Sequence, residues 1–135
     1  VEETMDKKIT NYKELTVWKK AMDLVVAVYR LTEFFPKTEQ YNLIAQMKRS
    51  AVSISSNIAE GSRRGSRKDY RQFIIIAFGS GAELETQLEI AERLGISMQE
   101  NDAEAKKLLD EVMRMLNTMV SNLNDSTHYS LQPTT

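Results

Sequence analysis

The residues that could do chemistry gather between Met47 and Arg71, MKRSAVSISSNIAEGSRRGSRKDYR. Seven basic residues (Lys48, Arg49, Arg63, Arg64, Arg67, Lys68 and Arg71) stand there against two acidic ones, Glu60 and Asp69. The segment therefore carries +5 in a chain whose net charge is −1, so the remaining residues sum to −6. A partner feels local potential more than total charge. Cations at the end of one helix and the start of the next, beside free backbone amides, suit an anion such as a nucleic-acid phosphate. Tyr70 could add a stacking surface. The opposing reading is a solvated turn whose arginines pair with Glu60, Asp69 or a neighbouring subunit's acidic face. Both readings stay open on the sequence.

Other chemistries lack their parts. Asn57 and Glu60 are polar by type but are read as caps or cross-links of helix ends. Glu85, Glu89 and Glu92 share a helical face, yet a di-iron bundle needs Glu-x-x-His motifs and none is present. A serine nucleophile among Ser53, Ser55 and Ser56 needs an activating base. The only histidine, His128, lies far away in a polar tail. No phosphate-binding glycine loop is present. Met113, Met115 and Met119 read as core filler. The expectation is a protein that is not an enzyme and takes no cofactor or metal.

The elements that position the basic segment follow from periodicity and punctuation. Residues 1–10 read as a flexible leader, 11–124 as one domain, and 125–135 as a disordered tail. Asn11, with Glu14 three residues on, starts a first helix that Pro36 stops near Phe35. Trp18, Met22, Val25, Tyr29, Thr32 and Phe35 follow helical spacing. Thr38 caps a second helix striped by Ile44, Met47, Ala51, Ile54, Ile58 and Gly61, a 3-4-3-4-3 seam suited to antiparallel packing. Its serines are poor helix formers, tolerable if they bond back to carbonyls or if a neighbouring helix approaches over them. A strand over Ala51 to Ile58 is the competing reading. Gly61 and Gly65 flank the turn, and Ser66 with Asp69 resembles a capping box. The third helix carries Tyr70, Ile74, Ala77, Gly81, Leu84, Leu88 and Ala91 and ends at Leu94-Gly95. Asn101 with Glu104 starts a fourth, striped by Leu109, Val112, Leu116, Met119 and Leu123. The expected fold is all-α, an antiparallel up-down-up-down four-helix bundle.

Two belts predict self-association. Phe73 to Phe78 and Leu24 to Tyr29 are apolar without a break, so they are greasy around the whole helix. A four-helix bundle buries one stripe per helix and would leave part of each belt in water. Val25, Val28, Phe73, Ile75, Ile76 and Phe78 are the expected interface residues. Gly79 to Ala82 adds small residues that allow close helix contact. With no cysteine in 135 residues, disulfides and thiolate metal sites are out of reach and the expected compartment is the cytoplasm. No apolar run approaches a membrane span.

The run QMKRSAVSISSNIAEGSRR from Gln46, with Phe73, Ala77-Phe78-Gly79-Ser80 and Glu83-Leu84-Glu85, resembles the four-helix-bundle family encoded by intervening sequences of bacterial 23S ribosomal RNA genes. Trp18, Val28-Tyr29 and Phe35-Pro36 also sit where that pattern expects them, and the similarity spans Tyr12 to Leu123. Ser53-Ile54 and Asn57 to Gly61 are its most specific elements. Ser55 and Ser56 depart from it, since many relatives carry Pro-Ala or similar there. The resemblance implies a ring-like homopentamer. It also implies kinship with the accessory variability determinant of diversity-generating retroelements, a basic pentameric barrel that binds nucleic acid and a reverse transcriptase. The function expected is thus a nucleic-acid-binding oligomer, RNA or DNA. The alternative is a structural or adaptor protein that binds another protein.

Overall fold

A computed structural model describes residues 11–124. The expected leader over 1–10, the tail over 125–135 and His128 lie outside the described residues. A short 3-10 turn, Tyr12–Glu14, leads into four helices: α1 (Thr16–Thr32), α2 (Leu43–Ser62), α3 (Arg67–Arg93) and α4 (Gln99–Asn122). Ala51 to Ile58 is helix, not strand.

Cross-helix contacts fix the topology. Gly61 meets Tyr70 and Phe73 across the α2–α3 turn, and further along the Ser53 and Ser80 hydroxyls are 2.7 Å apart. Arg71 reaches the Val120 carbonyl, while Lys106 bonds Glu92 at the other end of the same helix pair. Tyr29 packs on Lys48 and Tyr12 on Arg63. Lys20 pairs with Glu111 at 3.2 Å. In each of the three consecutive pairs, rising numbers on one helix meet falling numbers on the next. The helices are therefore antiparallel, each packed on two neighbours, around a core that includes Leu24, Met47, Ile54, Ile74, Leu84 and Leu116.

The α2–α3 pair is the tightest part of the bundle. Its facing positions are small (Ser50, Ala51, Ser53, Ala77, Ser80), so the backbones approach closely. A Cβ on Gly61 would stand 2.8 Å from Phe73 Cβ and 3.0 Å from Tyr70 Cδ1. The serines keep their helix in both of the ways open to them. Ser55 donates to the Val52 carbonyl and Ser62 to that of Ala59, while Ser53 spends its hydroxyl across the interface and accepts from Asn57. The stripes expected for α2 and α3 are all buried. Ser66 caps α3 as expected, its hydroxyl accepting from the Asp69 amide at 3.1 Å.

Three boundaries and one stripe differ from expectation, the first boundary being that Asn11 caps only the 3-10 turn while α1 runs from Thr16 to Thr32 and stops short of Phe35. On α1 the buried set is Val17, Ala21, Leu24, Val28 and Leu31, with Thr32 beside it, while Met22 and Tyr29 are exposed. Because α1 is apolar on most sides, two adjacent stripes satisfy the helical period, and packing chose the other one. Val28 is accordingly wholly buried in the core and cannot serve as an interface residue. Thr38 lies in a 3-10 turn, Lys37–Glu39, and α2 starts at Leu43 after Asn42. α4 starts at Gln99, ahead of Asn101.

The α3–α4 connection turns on Gly95, the only described residue with positive φ (74°). It is then pinned by a polar cluster. Asp102 is 1% exposed, accepts from Ser97 Oγ at 3.2 Å, and lies 3.6 Å from the Lys106 ammonium. Lys106 also bonds Glu92. Burial, and then the neighbouring Glu92, push the Asp102 carboxyl above the ordinary range. The hydrogen bond from Lys106 holds Glu92 below it.

Two outcomes follow from this geometry. Gly61→Ala should destabilise the bundle by about 1–2 kcal/mol, since over-packing against Phe73 outweighs the gain in helix propensity. Gly79→Ala, on a site with nothing within 4 Å, should stabilise it by up to about 1 kcal/mol. Denaturant titration of both variants checks the pair. Asp102 ionises less readily folded than unfolded, so its contribution to stability is full at low pH and lost as pH rises through its folded value. Asp102→Asn should therefore melt above the native chain at pH 7. The gap should close as pH falls below the folded value of Asp102, where the native carboxyl also takes its proton. Glu92 runs the other way: its contribution is lost as pH falls, so Glu92→Gln should melt lower at pH 7.

Candidate nucleic-acid interface

The antiparallel topology decides which of the seven basic residues meet. Arg63, Arg64, Arg67, Lys68 and Arg71 lie at one end of the bundle, where α2 turns into α3. Lys48 and Arg49 lie about four helical turns further back along α2, roughly 20 Å away at 1.5 Å per residue. They are not part of that cluster. The Lys48 ammonium sits 4.4 Å from the Tyr29 ring centroid, and Arg49 lines a hollow between α2 and α3 with Glu83 and Gln87.

Within the cluster each cation has a different situation. Arg64 pairs with Glu60 at 2.8 Å, one turn back, and lies over the Phe73 ring. Arg63 is exposed and stacks its guanidinium 5.4 Å from the centroid of Tyr12. Arg67 donates to the Asn122 carbonyl at 2.8 Å and Arg71 to the Val120 carbonyl at 3.2 Å. These carbonyls belong to the last turn of α4, where the helix leaves acceptors unfilled and carries partial negative charge. Lys68 is exposed, with no ion pair or hydrogen bond to another described residue. Tyr70 is buried and presents no stacking face at the surface.

The fold also brings charges that the basic segment does not contain. The start of α1 and the end of α4 share this end of the bundle. Residues 11–20, 60–71 and 110–124 together hold nine basic and five acidic residues, a net of +4, with Lys20 paired to Glu111 and Arg114 to Asp110. Lys13, Lys19, Lys20 and Arg114 are the basic additions, and only the pairing of α1 with α2 and of α4 with α3 reveals them.

The expected interface residues divide likewise. Ile76 is exposed; Val25, Phe73, Ile75 and Phe78 are half-buried. Met22, Val26 and Tyr29 on α1 and Val52 on α2 are exposed apolar residues that the belt argument did not single out. For the three on α1 the signal is its second apolar stripe.

Arg67→Ala should cost about 0.5–1 kcal/mol of stability through loss of a charged cap on α4. Lys68→Ala should stay within about 0.5 kcal/mol of the native chain. Thermal melts at low and high salt check this, with the Arg67 effect shrinking as salt rises.

A protein of unknown function from the S23 ribosomal protein family of Bacteroides thetaiotaomicron, known from its crystal structure, has a similar fold. It superposes with a TM-score of 0.71 at 26% identity, over 78% of this chain and 98% of that one. A comparison with curated proteins gave no match. The profile described as 23S rRNA-intervening sequence protein matches residues 13–118, from the first turn of the fold through most of α4. With that span matched and the four-helix architecture in place, the chain belongs to the 23S rRNA-intervening sequence protein family.

Proposed function

We propose that this chain is a non-enzymatic, self-associating bundle of the cytoplasm that binds nucleic acid through its basic end. The observation that carries the reading is the +4 end itself, where lysines of α1 join the α2–α3 turn. Arg63 and Lys68 hold no carboxylate there and would be the leading phosphate contacts, with Lys13 and Lys19 beside them. Arg67 and Arg71 would add field while they cap α4. The family's description, which refers to 23S rRNA, makes RNA the first ligand to try. Self-association is supported by the exposed stripe of Met22, Val26 and Tyr29 with Val52, and by Ile76. A closed ring, a homopentamer, would repeat the basic end around one axis and multiply its potential.

A second reading, an adaptor that binds another protein such as a reverse transcriptase, is favoured by one fact. Arg64, Arg67 and Arg71 already hold partners inside the chain.

Filter binding of RNA and DNA at two salt concentrations, on material of known solution mass, separates the readings. The expected particle is several times 15.5 kDa. Affinity should drop on the order of 10²–10³-fold between 50 and 200 mM salt for four or five phosphate contacts. Arg63→Ala/Lys68→Ala should weaken binding about tenfold and flatten the salt slope, with the melting temperature nearly unchanged. Salt-insensitive association with a protein, and no nucleic-acid retention, would favour the adaptor.

A further inference from the structure

The end of the bundle opposite the arginines has a different character. Phe34, Tyr41, Leu94 and Met98 are 57–90% exposed. They come from the α1–α2 connection and the α3–α4 turn, which the antiparallel topology sets at one end. Phe34 lines one hollow with Asn101 and Glu104 of α4, and Ile90, also exposed, lines another with Gln46 of α2. Four large apolar side chains at the loops of one end form an unusual concentration, because loop tips need no apolar residues for the core.

The surrounding charge is acidic. Residues 30–42 and 89–106 hold seven acidic residues, of which Asp102 is buried, against Arg30, Lys37, Arg93 and Lys106, a net of −3. Lys106 reaches in to Glu92 and Asp102. Glu33, Glu39, Glu100 and Glu104 have no ion pair among the described residues.

The geometry points to this acidic, apolar-studded end as a docking surface for a basic segment of another protein that carries apolar side chains. The inference does not rest on nucleic-acid binding at the far end. Charge selects the partner's sign, and the four exposed side chains require an apolar counterpart. The rest of this chain is a poor occupant. Asn11 and Asn124 both lie at the arginine end, about 40 Å away along α3. The 10 and 11 residues beyond them each carry a net −1. A second copy would have to offer its basic end, where three arginines are engaged, and head-to-tail contacts along one axis would not close.

The test uses the full chain and a 15-residue amphipathic peptide of lysine and leucine, with Leu→Ser and Lys→Glu versions as controls. Binding is followed by amide chemical-shift mapping. Saturable binding of the Lys/Leu peptide is expected, with shifts confined to residues 33–42 and 89–104. Leu94→Ser/Met98→Ser should weaken it at least tenfold. Both residues are exposed, so the fold should survive, and Tyr41→Ser gives an independent arm if the double variant melts early. Equal binding of either control peptide would overturn the proposal, as would shifts centred on residues 60–71 or no binding. So would a solution mass that rises with concentration and falls in the double variant, since the occupant would then be another copy.

Discussion

The bundle depends on how closely α2 and α3 can approach. Gly61 admits the Phe73 and Tyr70 side chains, and small residues along the seam let the Ser53 and Ser80 hydroxyls meet. That contact fixes the register of the pair, and the register fixes what the turn presents. With α2 and α3 locked, α1 lies along α2 and α4 along α3, so the start of α1 and the end of α4 must flank the arginine turn. The local potential thus originates in a packing constraint made by uncharged residues.

The same constraint explains why charges within one short segment behave so differently. Arg67 and Arg71 follow the N-cap of α3, beside the last carbonyls of α4, and they satisfy acceptors that no residue within α4 can reach. Arg64 faces back along α2 to Glu60. Arg63 and Lys68 are left to the solvent side. A run of basic residues is therefore part structural cement and part open surface, and the division follows helix geometry.

Much of this was legible in the sequence. The α2 and α3 stripes were, because each keeps its helical spacing along the whole helix, on α3 through and beyond the apolar belt from Phe73 to Phe78. The cap of α3 was, because Ser66 and Asp69 have the spacing that a reciprocal cap needs. The core face of α1 was not, since Leu24 to Tyr29 satisfies two phases of the helical period and only packing selects between them. The start of α4 was missed for a related reason. Asn101 and Glu104 have the right types for a cap, but the turn is held by Ser97 and the buried Asp102, a pair spanning the junction. The contribution of Lys13, Lys19 and Lys20 to the basic end was invisible, because it is a property of helix pairing and not of any one stretch.

An even number of antiparallel helices has one more consequence. The described chain enters at Asn11 and leaves at Asn124 on the same side, the side that bears the arginines. A label, an immobilising linker or a fused neighbour attached at Asn11 or Asn124 is delivered to that pole. The pole formed by Phe34, Tyr41, Leu94 and Met98 then stays unobstructed, so a bundle tethered at Asn11 or Asn124 would stand with that crown pointing outward.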